Sequence, residues 1–376
     1  MKVLTVVGAR PQFIKAAPVS RVLRDRHSEL LVHTGQHHDD AMSGAFFLEL
    51  QLPPPDLDLG VAGGGHGAMV GEMLLRLEPV LLDHEPDGIL VYGDTNSTLA
   101  GAVAAAKVAF SGGRRPWLAH VEAGLRSFNR EMPEERNRVV ADHLADLLLA
   151  PTERAMRNLE HEGLAERAEL VGDVMVDAFE WALARAAPRR ADGGASTDPY
   201  VLATLHRAEN VDDPARLAAW LEAMRDPTPV LFPVHPRTRA VIASAGIEPP
   251  ENVQLIDPVG HLVMAAVLRD ALLVATDSGG LQKEAYLAGV PCLTLRSETE
   301  WTETLEAGWN RLVAAAPGML HNVLSDTEFL RRDRPRPPIF GDGDAARRIV
   351  ASLERLDATA ARRRSPETRR TKESRT

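Results

Sequence analysis

The chain alternates short apolar runs with amphipathic stretches over almost its whole length, in two successive sets. The first set of apolar runs is VLTVV (3–7), ELLVH (29–33), GILVY (88–92), WLAHV (117–121), LLLA (147–150) and AELVG (168–172). The second set is DPYVLATL (198–205), PVLFPV (229–234), NVQLI (252–256), ALLVAT (271–276), PCLTL (291–295) and RLVAA (311–315). Apolar runs separated by helical patterns indicate parallel strands with helices on both faces. The predicted fold class is therefore α/β, with two doubly wound, Rossmann-like halves.

The junction between the two sets is APRRADGGASTDP (187–199), whose Gly, Pro and Ser content marks a loop. We predict an N-terminal domain over 1–172 and a C-terminal domain over 173–343. A terminal helix is predicted over 344–357, and a disordered basic tail over 358–376 because the tail lacks apolar periodicity. Open α/β sheets bind ligands beyond the carboxyl ends of their strands, so two such sheets predict a site in the cleft between the domains.

Composition narrows the classes of function open to the chain. The 376 residues carry a net charge of −10, which gives no indication of nucleic-acid binding. No apolar run approaches the roughly 20 residues of a membrane span, so no membrane partner is expected. The single cysteine, Cys292, allows no intrachain disulfide, and this agrees with a reducing cytoplasm.

No cofactor and no metal are expected from the sequence. Residues 63–68 match a dinucleotide fingerprint, but they follow a proline-rich segment rather than a strand. His33, His37 and His38 lack the carboxylate spacing that would complete a metal site.

Cations follow the first predicted strand. A turn at Gly8 leads into a helix with Pro11 near its start, which places Arg10 at the strand end and Lys15 about one turn into the helix. Two cations beside a helix N-terminus form an anion site, although a solvated surface pair would give the same pattern.

Carboxylates follow two further strands. Asp94 follows GILVY after one glycine, Gly93, and either caps the next helix or takes part in catalysis. Glu122 follows WLAHV, and Glu134 and Glu135 open the helix of PEERNR, where they could also be dipole partners. Carboxylates near one sheet edge repel each other unless some are protonated or paired with cations. Such an arrangement suits groups that exchange protons.

Histidines and a glycine turn follow the strands of the second half. His206 and His235 each stand where a strand meets a loop, with a core histidine as the alternative. In TDSGGLQKE a strand runs into a glycine turn and a helix, whose free amides and Ser278 hydroxyl can hold a phosphate. Glu284 falls about one turn into that helix, where it can accept hydrogen bonds from ribose hydroxyls.

Eight motifs in order resemble the non-hydrolysing UDP-N-acetylglucosamine 2-epimerase family: GARPQFIK, GDTNSTLAG, HVEAGLRSFN, MPEERNR, TLHRAEN, PVHPRTR, TDSGGLQKEA and RSETEW. The resemblance runs from residue 1 to about 356 and implies the GT-B architecture, in which two Rossmann-like domains face a cleft. It also implies a homodimer that acts on a UDP-2-acetamido sugar by eliminating UDP to a glycal and adding it back.

The resemblance assigns roles to residues by motif match. Catalytic candidates are Asp94, Glu122, Glu134 and His206. Substrate-binding candidates are Arg10, Lys15, Arg138, His235, Ser278, Gly279, Gly280, Glu284 and Arg296. Within these sets, Arg10, Lys15 and His206 would stabilise the departing diphosphate.

Three positions depart from the family pattern. Gln12 and Lys283 stand where many members have Glu, and Trp301 stands where many have Arg. The first two changes remove negative charge. The pattern therefore looks closer to the branch that acts on UDP-2,3-diacetamido-2,3-dideoxy-glucuronate, whose extra carboxylate a less acidic site would tolerate better.

Three rival functions have their own discriminating features. A GT-B glycosyltransferase would share the nucleotide site of Ser278 and Glu284 but would not need three carboxylates in the N-terminal half. A hydrolysing epimerase would release UDP irreversibly. A catalytically silent nucleotide-sugar sensor would have no use for the acidic trio.

Overall fold

The computed structural model describes residues 1–36, 47–186 and 199–364. Most of the predicted junction loop and the end of the predicted basic tail lie outside these ranges, as do His37 and His38. No helix within the ranges is long and apolar enough to cross a membrane.

The first compact unit consists of Met1–Ala178 and the chain from Ile339 onward, and it is built on a parallel sheet. Its strands are β1 (Lys2–Val7), β2 (Ser28–His33), β3 (Leu57–Asp58), β4 (Gly88–Tyr92), β5 (Trp117–Val121), β6 (Leu147–Ala150) and β7 (Ala168–Leu170). Its helices, numbered along the chain, are α1 (Arg10–Arg24), α2 (His66–His84), α3 (Asn96–Lys107), α4 (Pro133–Leu144), α5 (Glu153–His161) and α15 (Ala345–Arg364). The strand order is β3-β2-β1-β4-β5-β6-β7.

The second compact unit, Phe179–Pro338, has the same plan. Its parallel strands are β8 (Val201–Thr204), β9 (Val230–Pro233), β10 (Val253–Ile256), β11 (Leu273–Thr276), β12 (Cys292–Thr294) and β13 (Asn310–Leu312), in the order β10-β9-β8-β11-β12-β13. Helix α6 (Val174–Arg185) leads into it. The helices that follow are α7 (Ala208–Val211), α8 (Pro214–Ala223), α9 (Pro236–Ser244), α10 (His261–Asp270), α11 (Gly279–Ala288), α12 (Thr302–Glu306), α13 (Met319–Leu324) and α14 (Thr327–Leu330).

The apolar runs form strands because both faces of each sheet are covered. In β1, Val3 and Val7 pack in one core of the first unit, whereas Leu4 and Val6 pack in the core on the other face. Each fully buried Val or Leu side chain contributes about 1.5–3 kcal/mol to the free energy of folding. The predicted α/β class, with two doubly wound halves, is confirmed.

Helix α6 carries the division between the two units. Val174 packs in a core of the first unit, whereas Phe179 and Ala182 pack in a core of the second. The division therefore falls after Ala178, six residues later than the end of the domain predicted over 1–172.

Helix α15 is longer than the sequence predicted. The Asp177 carboxylate accepts hydrogen bonds from its first two N–H groups, at 3.2 and 2.9 Å. Leu353 lies in a core of the first unit, and Ala360 still packs against that core. The prediction of a disordered tail from residue 358 is thus corrected for 358–364, because alanine-rich sequence favours a helix and this turn retains a core contact.

Candidate active site

Each sheet places polar residues at the point where its strand order reverses. In the first unit this point lies between β1 and β4, and in the second unit it lies between β8 and β11. Loops that leave neighbouring strands in opposite directions open a crevice there, and open α/β sheets bind ligands in such crevices. Arg10 and Asp94 follow β1 and β4, and His206 and Ser278 follow β8 and β11.

An ion pair between Lys15 and Glu122 joins α1 to the end of β5. It lies over Gly93, because a Cβ atom on that glycine would be 3.2 Å from both the Lys15 Nζ and the Glu122 Oε2. Gly93 also has a left-handed backbone, with a φ of 62°. A side chain at position 93 would therefore crowd the ion pair and strain the backbone.

Glu122 itself has a φ of 72°, which is unusual for a residue with a side chain. Such a conformation costs about 1–3 kcal/mol and persists only where surrounding contacts impose it. Here the N–H groups of Glu122 and Ala123 both donate to the Leu149 carbonyl, at 3.1 and 3.2 Å. In this backbone conformation the Glu122 carboxylate reaches Lys15.

Asp94 is held by an arginine and does not cap the following helix. Thr95 is the N-cap of α3, since its hydroxyl accepts the N–H of Thr98 at 3.3 Å. The Asp94 carboxylate instead forms an ion pair with Arg138 of α4. Of the two roles that the sequence left open for Asp94, capping is therefore wrong.

The two glutamates that open α4 have different surroundings. Glu135 is buried and accepts hydrogen bonds from the N–H and hydroxyl of Ser127 and the N–H of Phe128, at 2.9, 2.9 and 3.0 Å. It also accepts one from Arg138 at 3.1 Å. Within the described ranges Glu134 has no such partner, and it shares a helix face with Arg138, four residues on. Of these two glutamates, Glu134 is the one that has no partner among the described residues.

Gln12, the first departure from the family pattern, is a buried support for the turn after β1. Its side-chain oxygen accepts the N–H groups of Gly8 and Ala9, at 2.9 and 3.1 Å. Its amide nitrogen donates to the Tyr92 carbonyl at 3.0 Å. A carboxylate could not donate that bond, so this departure is explained by local hydrogen bonding.

In the second unit, a buried aspartate ties the loop after β8 to the loop after β11. The Asp277 carboxylate accepts the N–H groups of His206 and Arg207, at 3.1 and 3.0 Å, and the Asn210 side chain at 3.1 Å. It also binds His206 Nδ1 at 3.0 Å. Burial raises the pKa of Asp277, but His206 and the other donors outweigh burial and leave that pKa below its usual value.

The His206 ring is anchored through Nδ1, which faces the Asp277 carboxylate. With Nδ1 directed at Asp277, the half-exposed ring presents Nε2 outward. The ring of His235 lies 6.4 Å away, centroid to centroid. His235 Nδ1 accepts the Arg237 N–H at 3.2 Å and thereby caps α9, so its Nε2 carries the hydrogen when the ring is neutral.

The N-terminus of α11 presents the predicted phosphate site. Ser278 is its N-cap, with its hydroxyl 3.4 Å from the Leu281 N–H. Gly279 and Gly280 supply the first N–H groups, which have no acceptor within a helix. A Cβ on Gly279 would lie 2.2 Å from Glu300 Oε1, whereas Gly280 is open.

Glu284 and Arg296 are both buried in the second unit. Glu284 lies on α11, one turn beyond Gly280. Arg296 follows β12 and binds Glu300 at 2.9 Å. Burial raises the pKa of Glu300, but backbone hydrogen bonding and the neighbouring Arg296 and Arg207 outweigh it and leave the pKa lowered.

The other two departures from the family pattern contact each other. The Lys283 ammonium lies over the Trp301 ring, 4.2 Å from its centroid. Both residues are buried, so Lys283 does not face solvent. The two departures therefore form one contact, in which a cation lies on an aromatic face.

Sequence reasoning did not single out Gln12 or Asp277 as support for the turns. The signal for Asp277 was present, since it follows its strand as Asp94 does. The residue pattern by itself does not distinguish Glu134 from Glu135, because both open the same helix; only the motif match named Glu134, and in the structure the loop at Ser127 binds Glu135 alone.

Two Rossmann-like units with charged groups where each strand order reverses define an α/β enzyme of the GT-B class. Comparison with known proteins makes this specific: the family model for UDP-N-acetylglucosamine 2-epimerase matches residues 21–354. The chain belongs to this family, which confirms the resemblance drawn from its motifs, and it is an epimerase and hence an isomerase.

Individual relatives agree with that assignment. The UDP-2,3-diacetamido-2,3-dideoxy-D-glucuronate 2-epimerase of Pseudomonas aeruginosa is 47% identical, over 95% of this chain and 100% of the relative. The crystal structure of Methanocaldococcus jannaschii UDP-GlcNAc 2-epimerase, in complex with UDP-GlcNAc and UDP, matches with a TM-score of 0.80 and 38% identity, over 94% and 99% of the two chains. A calicheamicin glycosyltransferase matches with a TM-score of 0.58 and 16% identity, over 97% and 99%, and shows the fold alone.

Proposed function

We propose that this enzyme inverts C2 of a UDP-2-acetamido sugar, with UDP-N-acetylglucosamine as its substrate, by eliminating UDP and adding it back. The observation that carries the proposal is the pairing of carboxylates with cations in the first unit, Glu122 with Lys15 and Asp94 with Arg138. Charge pairing allows carboxylates to gather at one sheet edge without mutual repulsion.

The chemistry needs groups of these kinds. The hydrogen on C2 has no adjacent carbonyl, so it is not acidic until the C1–O bond begins to break. As UDP leaves, a carboxylate takes the C2 proton and the C1–C2 double bond of a glycal forms. UDP then adds back to C1 while a proton reaches C2 from the opposite face. Two faces require two proton-handling groups.

We assign the proton-handling groups to the first unit and the UDP contacts mainly to the second. Asp94, Glu122 and Glu134 are the carboxylates available for the two faces of C2. Departure of the diphosphate requires stabilisation of its developing charge, to which Arg10, Lys15 and His206 would contribute. Ser278, Gly279 and Gly280 would bind phosphate through the N-terminus of α11, and Glu284 would bind the ribose. Arg138, His235 and Arg296 would support these contacts.

Incubation with UDP-N-acetylglucosamine in deuterated water, with no acceptor present, tests the proposal. We expect deuterium at C2 and recovery of both intact C2 epimers of the UDP-sugar at equilibrium. No exchange without an acceptor would favour a glycosyltransferase. Irreversible release of UDP would favour a hydrolysing epimerase, and tight UDP binding with neither outcome would favour a sensor.

The second candidate substrate is UDP-2,3-diacetamido-2,3-dideoxy-glucuronate. It is favoured by the 47% identity to the Pseudomonas aeruginosa enzyme named for that substrate. The lower negative charge at positions 12 and 283 does not favour this substrate further. Gln12 and Lys283 are both buried in local contacts, Gln12 with the Tyr92 carbonyl and Lys283 with the Trp301 ring. Side-by-side kcat/KM values on the two UDP-sugars decide between them, and a higher value for the uronate would replace the first candidate.

We further propose a cytoplasmic homodimer. Leu75 and Leu82 are seven residues apart on one face of α2 and are 70% and 48% exposed. Exposed apolar surface of this kind is typical of subunit contacts. Light scattering after size exclusion should give twice the chain mass, and Leu75→Glu should shift it toward the monomer. The single cysteine, Cys292, is buried, which is compatible with a reducing compartment, and cell fractionation tests that location.

A further inference from the structure

His120 lies two residues before Glu122 on β5, is completely buried and has an oxygen at each ring nitrogen. Nδ1 is 2.7 Å from Asp142 Oδ1, and Nε2 is 2.7 Å from the Gly93 carbonyl. A carbonyl oxygen only accepts hydrogen bonds, so Nε2 carries a hydrogen. Burial raises the pKa of Asp142, but its contacts with His120 and Arg126 outweigh burial and leave that pKa low, so the carboxylate is ionised.

The second oxygen of Asp142 holds the turn after Glu122. It accepts the Gly124 N–H at 3.0 Å and binds the Arg126 guanidinium at 2.7 Å. Gly124 has a φ of 81°, and a Cβ there would lie 2.5 Å from the Ala155 carbonyl oxygen. The bond to Asp142 and the close approach of the Ala155 carbonyl therefore both hold this turn in place.

We infer that His120 and Asp142 act together as a positioning pair that sets the turn of Asp94 against the turn of Glu122. This inference rests on the proposed function, in which those two carboxylates handle protons at C2. His120 fixes the peptide that links Gly93 to Asp94, and Asp142 fixes the backbone two residues beyond Glu122. Neither side chain touches the substrate.

The contacts favour this role over that of an ordinary core pair. A buried pair of hydrogen-bonded polar side chains often adds little stability compared with apolar residues of the same volume, so stability alone does not account for its presence. His120 and Asp142 each form a hydrogen bond with the backbone of a turn that carries a carboxylate of the proposed site. His120 bonds to the Gly93 carbonyl and Asp142 to the Gly124 N–H. Displacements of about 1 Å in such a site cost about 100-fold in rate.

His120→Gln and Asp142→Asn test the pair, with His161→Gln as the matched control on the exposed face of α5. For each variant, kcat is expressed per UDP-binding site, so that a loss of folded protein is not counted as a loss of turnover. The KM and the Kd of UDP are measured alongside. We expect kcat to fall about 100-fold in each variant, with the KM and the UDP Kd within about threefold of the wild-type values. The control should retain wild-type turnover.

The double variant distinguishes a pair from two independent residues. If His120 and Asp142 act together, the double variant loses about as much kcat as either single variant, whereas independent roles would multiply the losses. Should His120→Gln fail to fold, Asp142→Asn alone carries the same expectation. Variants with wild-type kcat per binding site overturn the inference, whereas a wild-type enzyme with no C2 exchange overturns the proposed function instead.

Discussion

The two units place an aspartate at the same point of the same topology. Asp94 comes shortly after β4 and Asp277 directly after β11, and each of these strands borders the reversal in strand order of its sheet. Each aspartate is followed by a hydroxyl residue that caps the next helix, Thr95 in one unit and Ser278 in the other. From sequence alone, the two positions appear equivalent.

Their surroundings differ in the number of hydrogen-bond donors. The Asp94 side chain is 31% exposed and is paired with Arg138. The Asp277 side chain is fully buried and takes donors from His206, Arg207 and Asn210. A carboxylate saturated with donors is poorly suited to accept a proton. The loop facing a strand end, and not the strand end itself, therefore determines what its aspartate can do.

The largest effect should come from Asp94→Asn, which removes the exposed carboxylate and keeps its shape. We expect kcat to fall by about 10²–10⁴, the range typical of a lost acid–base group. The melting temperature should change much less than kcat, because Arg138 keeps its ion pair with Glu135 at 3.1 Å. Wild-type turnover in this variant would place Asp94 with Asp277 as a structural residue.

Glu134 and Glu135 extend the same contrast to neighbouring residues of one helix. We expect Glu134→Gln to lower kcat by about 100-fold without changing stability, because the side chain makes no described contact. Glu135→Gln should instead lower the free energy of unfolding by about 1–3 kcal/mol, since it weakens the bonds to Ser127 and Phe128. Denaturant unfolding and steady-state kinetics of both variants check this, and the reverse pattern would exchange their roles.

Asp277→Asn should mainly affect stability, with a loss of about 1–3 kcal/mol in the free energy of unfolding. The pKa of Asp277 is lowered in the folded protein, so its contribution is present above the unfolded pKa of about 3.9 and is lost as pH falls through the folded value. Urea titrations at several pH values should show wild type and variant converging below about pH 4. A constant difference down to pH 2 would contradict the assignment.

The smallest effects should come from the two caps. Thr95→Ala and Ser278→Ala each remove an N-cap hydroxyl, at a cost of about 1 kcal/mol in the free energy of unfolding. Only Ser278→Ala should also weaken UDP binding, by a few-fold, because its helix N-terminus is the proposed phosphate site. Calorimetry with UDP separates the two, and equal UDP affinities would remove Ser278 from the site.

The sequence predicted the architecture well because buried parallel strands leave continuous apolar runs. It also predicted which strand ends carry charge, as Asp94 and Glu122 show. Pattern and spacing could not separate the two carboxylates of α4, for which only the motif match named Glu134, because the backbone of Ser127 and Phe128 that binds Glu135 comes from a loop without a pattern. The sequence also did not predict how far α15 extends, because the packing of Ala360 against the core is a tertiary contact.

The contact of Lys283 with Trp301 has an evolutionary consequence. Both positions differ from the family pattern that the resemblance implies, and the two side chains touch. A glutamate facing the tryptophan ring would meet its negative face, and a lysine beside an arginine would meet a like charge. Either single reversal is therefore worse than both together, which is sign epistasis, and a lineage would cross between the two pairings by a coupled exchange.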